Sequence, residues 1–283
     1  MERKEIGATR QEVLLEVRNL AVSFLQYEKG LRQRIVHPIK DLTLDIRVGE
    51  VLAVVGSSGS GKSLLAHSIL GILPPNATQT GEIYYKGVRL TPEEQKRLRG
   101  KEITLIPQSV NYLDPLMKVG KQVRYTAGKG EGKFIQESLF RRFHLPATAG
   151  EKYPFQLSGG MIRRVLISTA ISGGARLIIA DEPTPGLHPD ALKKVLKHLR
   201  ELADEGRSIL FITHDLMAAR SIADRIAVIN AGATLEIAEA DKFAGKGEGL
   251  IHPYSRALWR ALPENEFFPV TDDFADFREP ERK

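Results

Sequence analysis

A glycine-rich loop between an apolar segment and a helical pattern constrains this chain more than any other feature. The apolar run Val51–Val55 leads directly into the pattern G-x-x-x-x-G-K-[ST]. The loop consists of Gly56, Ser57, Ser58, Gly59, Ser60, Gly61, Lys62 and Ser63. Residues 61–71 then carry apolar side chains at helical spacing. A chance glycine–serine turn would not need this strand–loop–helix order, which is the context in which the pattern binds phosphate.

The residue types of the loop explain why it can hold a polyphosphate. Glycines let successive backbone N–H groups turn inward, and the N-terminus of the following helix adds partial positive charge. Lys62 is predicted to reach the β- and γ-phosphates of a nucleotide, and the Ser63 hydroxyl to coordinate Mg²⁺. The loop therefore predicts a nucleoside triphosphate site.

Two carboxylates close a second apolar segment. The run Leu177–Ala180 is typical of a buried strand, and Asp181 and Glu182 follow it. Adjacent strand residues point to opposite faces, so the two acids have separate tasks. We expect Asp181 to hold Mg²⁺ through water and Glu182 to orient or deprotonate the water that attacks the γ-phosphate. Capping of the next helix is the structural alternative. Beside the phosphate loop, the pair predicts an NTPase without indicating what hydrolysis drives.

Strands and helices alternate along most of the chain, which predicts an α/β fold. Short β-type runs, such as Leu14–Val17 and Leu42–Ile46, predict an N-terminal antiparallel β layer. The later alternation predicts a mostly parallel, RecA-like P-loop sheet, and the fading β signal in between predicts an inserted helical subdomain. We divide the chain into residues 1–107 (β layer and phosphate-loop half of the core), 108–175 (helical signature subdomain), 176–243 (second half of the core) and 244–283 (C-terminal extension and acidic tail).

Composition narrows the class of protein. The 283 residues include 41 Lys and Arg against 35 Asp and Glu, and the net charge of +6 suits nucleic acid, phosphate ligands or an anionic membrane surface. Cysteine is absent, which excludes disulfides, thiolate zinc sites and an iron–sulfur cluster in this sequence. The apolar runs are far shorter than the roughly 20 residues that span a bilayer.

Three further elements stand in a fixed order around these motifs. Gln108 follows the β-type run Ile103–Ile106, and His214 closes the run Leu210–Thr213. A segment before the acidic strand consists of Leu157, Ser158, Gly159, Gly160 and Met161. In these residues and their order, the chain from about residue 13 to residue 263 resembles the ATP-binding cassette (ABC) ATPases. The resemblance implies that ATP is the nucleotide, that Gln108 is the family's Q-loop glutamine and that His214 is its switch histidine.

The resemblance also implies a nucleotide site shared between two chains. Residues 157–161 resemble the signature motif of the family. In ABC ATPases two ATPase domains face head to tail, and each ATP lies between the phosphate loop of one and the signature motif of the other. Ser158, Gly159 and Gly160 open a helix whose N-terminal amides then meet the γ-phosphate of the partner's ATP. The residues implied to hold Mg²⁺ are Ser63, Gln108 and Asp181, and those implied in catalysis are Gln108, Glu182 and His214.

Two positions are less determined by the pattern. Phe24, at the end of the first β segment, is our choice for the aromatic ring that stacks on adenine, with Tyr27 or a simple core aromatic as alternatives. After Glu182 the family usually has a loop aspartate, whereas this chain has His188. That aspartate helps to couple the two composite sites, so the histidine leaves their equivalence open.

Two segments resemble the peptide/nickel importer branch of the family: residues 153–161 and the His252-Pro-Tyr segment that runs to Pro263. The stretch 106–120 is more similar to nickel and metal-chelate members than to oligopeptide members. The resemblance implies an importer ATPase, peripheral on the cytoplasmic face of the cell membrane, with a second related ATPase subunit, two transmembrane permease subunits and, indirectly, an extracytoplasmic substrate-binding protein. The candidates for docking on the permease, or for the subdomain's own core, are Tyr112, Leu113, Leu116 and Met117.

The alternative function is a non-transport ABC ATPase that acts on nucleic acid, as repair proteins do. The basic clusters at 96–101 and 141–142 favour nucleic acid, but a solvated face near lipid headgroups explains them equally well. Repair and chromosome members insert long coiled coils or cysteine-rich zinc modules, and this sequence has neither sustained heptads nor cysteine. We therefore expect transport and no nucleic-acid partner.

Overall fold

The computed structural model of the protein describes residues 12–27, 33–128, 130–184 and 188–265. The strands in these ranges are β1 (Val13–Tyr27), β2 (Gln33–Arg47), β3 (Val51–Gly56), β4 (Ala77–Tyr85), β5 (Val88–Arg89), β6 (Ile103–Ile106), β7 (Leu177–Asp181), β8 (Ser208–Thr213), β9 (Arg225–Asn230) and β10 (Ala233–Glu239). The α-helices are α1 (Lys62–Leu70), α2 (Pro92–Leu98), α3 (Val119–Thr126), α4 (Gly132–Arg142), α5 (Gly159–Ile171), α6 (Pro189–Asp204), α7 (Leu216–Ile222) and α8 (Pro253–Arg260). Short 3₁₀ turns lie at Val110–Tyr112, Ala147–Glu151, Pro154–Gln156, Ala240–Lys242 and Pro263–Asn265.

All of these strands belong to one sheet, in the order β5-β4-β1-β2-β10-β9-β3-β8-β7-β6. The strands β1, β2, β4 and β5 pair antiparallel, whereas β9, β3, β8, β7 and β6 pair parallel. The predicted α/β fold, with an antiparallel layer, a mostly parallel core and inserted helices, is confirmed. The strands β1 and β2 extend far beyond the runs predicted from sequence. Register shifts at several points of their pairing disrupt the two-residue alternation that marks a strand.

Four neighbouring parallel strands bring the predicted motifs to one edge of the sheet. The strand β3 leads into the phosphate loop, β8 is followed by His214, β7 ends at Asp181, and β6 is followed within two residues by Gln108. Their carboxyl ends are level, because Val55 pairs with Thr213 and Ile212 with Asp181. Ligands of open parallel sheets bind beyond this edge, so the topology alone gathers the motifs there.

Tight packing explains the glycines at both ends of the phosphate loop. A Cβ on Gly56 would lie 2.2 Å from the carbonyl oxygen of Ile229 in β9. Gly61 has a φ of +94° and caps the N-terminus of α1, and a Cβ there would lie 2.7 Å from the Ile39 side chain. A side chain at either position would push the loop away from the sheet, so only glycine allows this path.

The inserted helices share a core with the sheet. The helices α3, α4 and α5 lie within residues 108–175, and no strand interrupts them in the part of the chain that the structure describes. Their buried side chains, such as Val123, Phe140 and Val165, belong to the same apolar cluster as Phe211 of β8. A movement of these helices therefore has to be accommodated by packing against the sheet.

The C-terminal extension folds against β10. The Glu236 carboxylate accepts hydrogen bonds from the backbone N–H groups of Ile251 and His252, which lead into α8, and the Trp259 indole donates to the Gly245 carbonyl at 3.0 Å. The rest of the predicted acidic tail, from residue 266 onward, lies outside the described residues. Over those that are described, no helix is both long enough and apolar enough to cross a membrane.

Candidate nucleotide site

A cavity of about 640 Å³ opens at the carboxyl edge of the parallel strands. The predicted site residues that line it are Ser58, Gly59, Gly61, Lys62, Ser63, Gln108, Glu182 and His214. Pro38 of β2 and Leu64 of α1 complete the lining. The cavity therefore brings the phosphate loop, the end of β7, the segment after β6 and the residue after β8 to one place, although these lie far apart in the sequence.

The lysine of the loop is folded back onto its own backbone. The Lys62 ammonium donates to the carbonyl oxygens of Gly56 and Ser57, both at 2.8 Å. Burial is the main cause that lowers the pKa of Lys62, and the charges of Glu182 and Asp181 act in the opposite direction. The amine is thus held beside the cavity by neutral acceptors, which more basic phosphate oxygens can replace.

Two serines of the loop differ in their contacts. The Ser57 hydroxyl donates to the Asn230 side-chain oxygen at 3.4 Å, which ties the start of the loop to the end of β9. The Ser60 hydroxyl is buried and has no hydrogen-bond partner among the described residues. The loop thus keeps a buried polar group that no residue in the described ranges satisfies.

The hydroxyl of Ser63 and the carboxylate of Asp181 lie side by side. Ser63 Oγ donates to Asp181 Oδ1 at 3.1 Å. Burial chiefly raises the pKa of Asp181, and its hydrogen bond with Ser63 opposes this. A buried carboxylate beside a hydroxyl, with the Gln108 amide on the same cavity, is an all-oxygen donor set that fits Mg²⁺. Bound cation charge would also offset the cost of keeping Asp181 ionised.

The second carboxylate of the pair has a different partner. Glu182 Oε1 and Oε2 lie 2.9 and 3.0 Å from His214 Nδ1, and since a carboxylate only accepts, Nδ1 carries the proton. The Glu182 side chain is buried, whereas that of His214 is 66% exposed toward the cavity. Glu182 has a φ of +45°, a left-handed conformation that is unusual for glutamate, and its N–H donates to the Ile212 carbonyl.

The signature-like segment lies outside this cavity. Ser158 is the N-cap of α5, and its side chain accepts a hydrogen bond from the Met161 N–H at 3.4 Å. A Cβ added to Gly159 or Gly160 would meet nothing within 4 Å. The N-terminal amides of α5 are therefore accessible, and Ser158, Gly159 and Gly160 do not line the cavity at their own chain's phosphate loop.

Neither candidate for adenine stacking lines the cavity. Phe24 pairs across β1 with Val36 of β2 and Ala77 of β4, and its partly buried ring packs on the core beneath the antiparallel strands. Tyr27 is mostly exposed, and its hydroxyl accepts a hydrogen bond from the Gln33 side chain. The choice of Phe24 over Tyr27 stays a prediction.

One residue at this site was not singled out by the sequence analysis. Arg163 in α5 donates to the backbone carbonyls of Pro107 and Gln108, and so joins the helical insertion to the segment that enters the cavity. The only signal in the sequence is a pair of adjacent arginines, Arg163 and Arg164, among the apolar residues of the α5 pattern. That signal does not reveal a partner 55 positions away.

Comparison with known proteins decides the family. The model of the ABC transporter family matches residues 39–185, which is more than half of the chain. This chain belongs to the ABC transporter family. The oligopeptide transport ATP-binding protein OppD of Bacillus subtilis is 36% identical over 269 residues, which cover 89% of this chain and 73% of that protein. The dipeptide transport ATP-binding protein DppD of Lactococcus lactis is 33% identical, with coverage of 89% and 74%.

A solved structure agrees with the family assignment. It is the dimeric structure of an ATP-binding cassette in a post-hydrolysis state, bound to ADP and phosphate, with a TM-score of 0.70 and 26% identity over 80% of this chain and 99% of that one. As an ABC cassette, this chain binds ATP with Mg²⁺ and hydrolyses it. The predicted family, the ATPase activity and the two ligands are thereby confirmed.

Proposed function

We propose that this chain is the ATP-hydrolysing subunit of an importer that moves peptides through separate membrane subunits. The observation that carries the ATPase part is the gathering of Lys62, Asp181, Glu182 and His214 at one sheet edge. The import part is supported by relatives named for oligopeptide and dipeptide transport. The names of these relatives do not support the narrower prediction that nickel or a metal chelate is imported.

The proposed hydrolysis uses groups that the chain itself supplies. Glu182 orients a water molecule and takes its proton as the water oxygen bonds to the γ-phosphorus; the bond from that phosphorus to the bridging oxygen breaks, and ADP leaves. His214 holds the Glu182 carboxylate through Nδ1 and presents the rest of its ring to the cavity. Lys62 turns from its backbone acceptors to the β- and γ-phosphate oxygens.

We assign the metal to the donor set described above. Ser63 and Asp181, with the side chain of Gln108, would hold Mg²⁺ between the end of β7 and the start of α1. When bound, Mg²⁺ neutralises charge that develops on the phosphate oxygens. The Ser63–Asp181 hydrogen bond holds the two ligands near each other beforehand.

A second ATPase subunit would complete each site. The exposed N-terminal amides of α5 lie outside their own chain's cavity, which suits a head-to-tail arrangement in which Ser158, Gly159 and Gly160 meet the partner's nucleotide. The solved relative with ADP and phosphate is a dimer. We propose that the partner is a related but distinct chain.

The membrane subunits would dock near the segment that follows Gln108. Tyr112 and Leu116 there are 62% and 86% exposed, whereas Leu113 is buried in the core and Met117 is half-buried. Of the four candidates, the first two therefore offer an apolar surface to the permease, and Leu113 serves the protein's own core. We propose that the chain lies on the cytoplasmic face of the membrane as a peripheral subunit, with the substrate-binding protein on the opposite side.

Three cations of the basic clusters have partners within the chain, which disfavours the nucleic-acid alternative. Arg97 pairs with Glu94, Arg99 donates to the carbonyls that end α1, and Arg142 pairs with Glu205. Cations engaged in this way are less available to phosphate groups of nucleic acid. The relatives named for transport point in the same direction.

Reconstitution separates the two functions. We expect ATP hydrolysis by the chain and its ATPase partner to be slow alone and to rise when permease subunits and a loaded binding protein are added in liposomes. Stimulation by DNA that disappears as salt increases, with no response to the membrane subunits, would contradict the transport function. The ligand that copurifies with the binding protein then distinguishes a peptide from nickel or a metal chelate.

Replacing His188 by aspartate should change cooperativity more than ATP affinity. His188 is 80% exposed and is the N-cap of α6 without a side-chain capping bond. Aspartate would accept a bond from the first turn of α6 and add negative charge where family members usually carry it. We expect the coupling between the two sites to change by about 1 kcal/mol, with the Kd for ATP within about twofold, measured as the Hill coefficient of hydrolysis and by ATP titration.

The control for this variant is His188→Asn, which can cap the helix without adding charge. A shift in the Hill coefficient with aspartate but not with asparagine would identify charge as the cause. Unchanged cooperativity with weakened ATP binding would contradict the proposed role of this position.

A further inference from the structure

Arg163 connects the helical insertion to the segment that carries Gln108. Its side chain is buried, with 6% of the residue exposed, and its Nη1 donates to the carbonyl oxygens of Pro107 at 3.1 Å and of Gln108 at 2.8 Å. Pro107 and Gln108 directly follow β6 and lead into the cavity. A single nitrogen of α5 therefore holds two successive carbonyls beside the nucleotide site.

The charge of Arg163 has no acidic partner in the part of the chain that the structure describes. Its contacts are backbone carbonyls, and burial lowers its pKa. Burying a guanidinium without a carboxylate is costly, and an apolar side chain of similar volume would fill the space without that cost. The charge of Arg163 strengthens its hydrogen bonds to the two carbonyls, because hydrogen bonds from an ionised donor are stronger than those from a neutral one.

The adjacent arginine has contacts of a different kind. Arg164 donates to the carbonyls of Gly160, Phe143 and His144, all within the helical insertion. Arg163 instead reaches across to the end of β6. Arg164 therefore ties α5 to other parts of the helical insertion, whereas Arg163 ties α5 to the segment that follows β6.

Arg163 lies close to the N-terminus of α5, so its contact with Gln108 is near the amides proposed to meet the partner's ATP. Gly159, four residues earlier, lies about one turn away at the exposed N-terminus of the same helix. A rigid helical turn therefore separates the amides proposed to meet the partner's ATP from the nitrogen that holds Gln108. A displacement of the N-terminus of α5 therefore also displaces the Arg163 side chain, and the reverse holds as well.

We propose that Arg163 is a positioning residue that fixes Gln108 at the cavity and makes its place depend on the orientation of α5. The inference rests on the ATPase function proposed above. Arg163 acts on the Gln108 backbone, so its loss should release the segment after β6 and lower turnover without removing the ATP-binding groups of the phosphate loop.

The test compares Arg163→Gln and Arg163→Lys with Arg207→Gln in the full chain with its ATPase partner. Arg207 is the matched control, since burial also lowers its pKa and its Nη1 donates to the Ile171 carbonyl at the other end of α5. We expect Arg163→Gln to lower kcat about tenfold, as loss of a charge-assisted contact predicts, with the KM for ATP within about twofold. Amide hydrogen exchange should increase over residues 108–112, which follow Pro107.

The other two variants complete the comparison. Arg163→Lys should recover part of the rate, because both carbonyls are held by one nitrogen and an ammonium can donate to both. Arg207→Gln should leave kcat and the exchange of this segment unchanged. Unchanged exchange or normal kcat in Arg163→Gln, or an equal effect of Arg207→Gln, would overturn the proposal.

A double variant shows whether Arg163 acts through Gln108. If it does, Arg163→Gln combined with Gln108→Ala should have the kcat of Gln108→Ala alone. If the double variant instead shows the product of the two single reductions in kcat, the proposal is overturned. Normal activity of Gln108→Ala would instead overturn the role assigned to Gln108, and the exchange measurement would still decide whether Arg163 holds the segment.

Discussion

Lys62→Ala should abolish detectable ATP turnover and weaken ATP binding by at least about 100-fold, since each lost charge-assisted hydrogen bond contributes roughly 1.5–3 kcal/mol. Lys62 lines the cavity together with Glu182, and Asp181 lies next to Ser63. Without the ammonium, the polyphosphate would lie near these two carboxylates with only Mg²⁺ and backbone dipoles to offset the repulsion. Titration with a fluorescent ATP analogue and a steady-state ATPase assay measure the two effects.

A matched lysine variant shows that the effect is local. Lys197 is mostly exposed on α6 and lies 3.8 Å from Glu201, so Lys197→Ala should bind and hydrolyse ATP normally. Circular dichroism of Lys62→Ala should show a folded protein, because water in the cavity can replace the amine as donor to the carbonyls of Gly56 and Ser57. ATP binding within threefold of the unmodified chain would contradict the role of Lys62.

Glu182→Gln should lower hydrolysis by about 10²–10⁴-fold, the usual contribution of a positioned general base, while ATP binding persists. The amide has nearly the shape of the carboxylate, and its oxygen can still accept from His214 Nδ1, but it cannot take a proton from water. In the proposed two-chain site ATP would then remain intact, and the variant should accumulate as a closed dimer with its ATPase partner. The ATPase rate and size-exclusion chromatography with ATP and Mg²⁺ test both parts.

The comparison for this variant is a carboxylate away from the cavity. Glu201→Gln changes a half-exposed acid on α6 that pairs with His198, and it should leave hydrolysis unchanged. Normal hydrolysis by Glu182→Gln would show that Glu182 is misassigned. Loss of ATP binding without dimer formation would show instead that the carboxylate is needed for the site to form.

Local motifs and strand order made most of the cavity predictable. Lys62, Asp181 and His214 each follow or end a short apolar run, and such runs are recognisable because parallel strands are buried on both faces. The pairing of these strands then follows from the α/β pattern, which places their carboxyl ends together. Motif and topology therefore agree without any knowledge of side-chain contacts.

Other features depended on contacts that no local pattern contains. The β1–β2 register shifts between Val22 and Phe24, so alternation does not tell which face Phe24 occupies. Leu113 and Leu116 look alike in the sequence, yet Leu113 is buried in the core and Leu116 is exposed. Packing between residues that are distant in the sequence determines which of these side chains are buried, and no periodic pattern in a single sequence reveals it.

The left-handed backbone conformation of Glu182 lowers the stability of the fold at a residue that we propose is needed for hydrolysis. A non-glycine residue in that conformation costs on the order of 1 kcal/mol, and glycine or asparagine would adopt it more readily. A mutant library screened only for heat resistance should therefore accumulate Glu182→Gly or Glu182→Asn, and each such clone would be an inert cassette. Any effort to make this protein more robust has to hold position 182 fixed and seek its gains elsewhere.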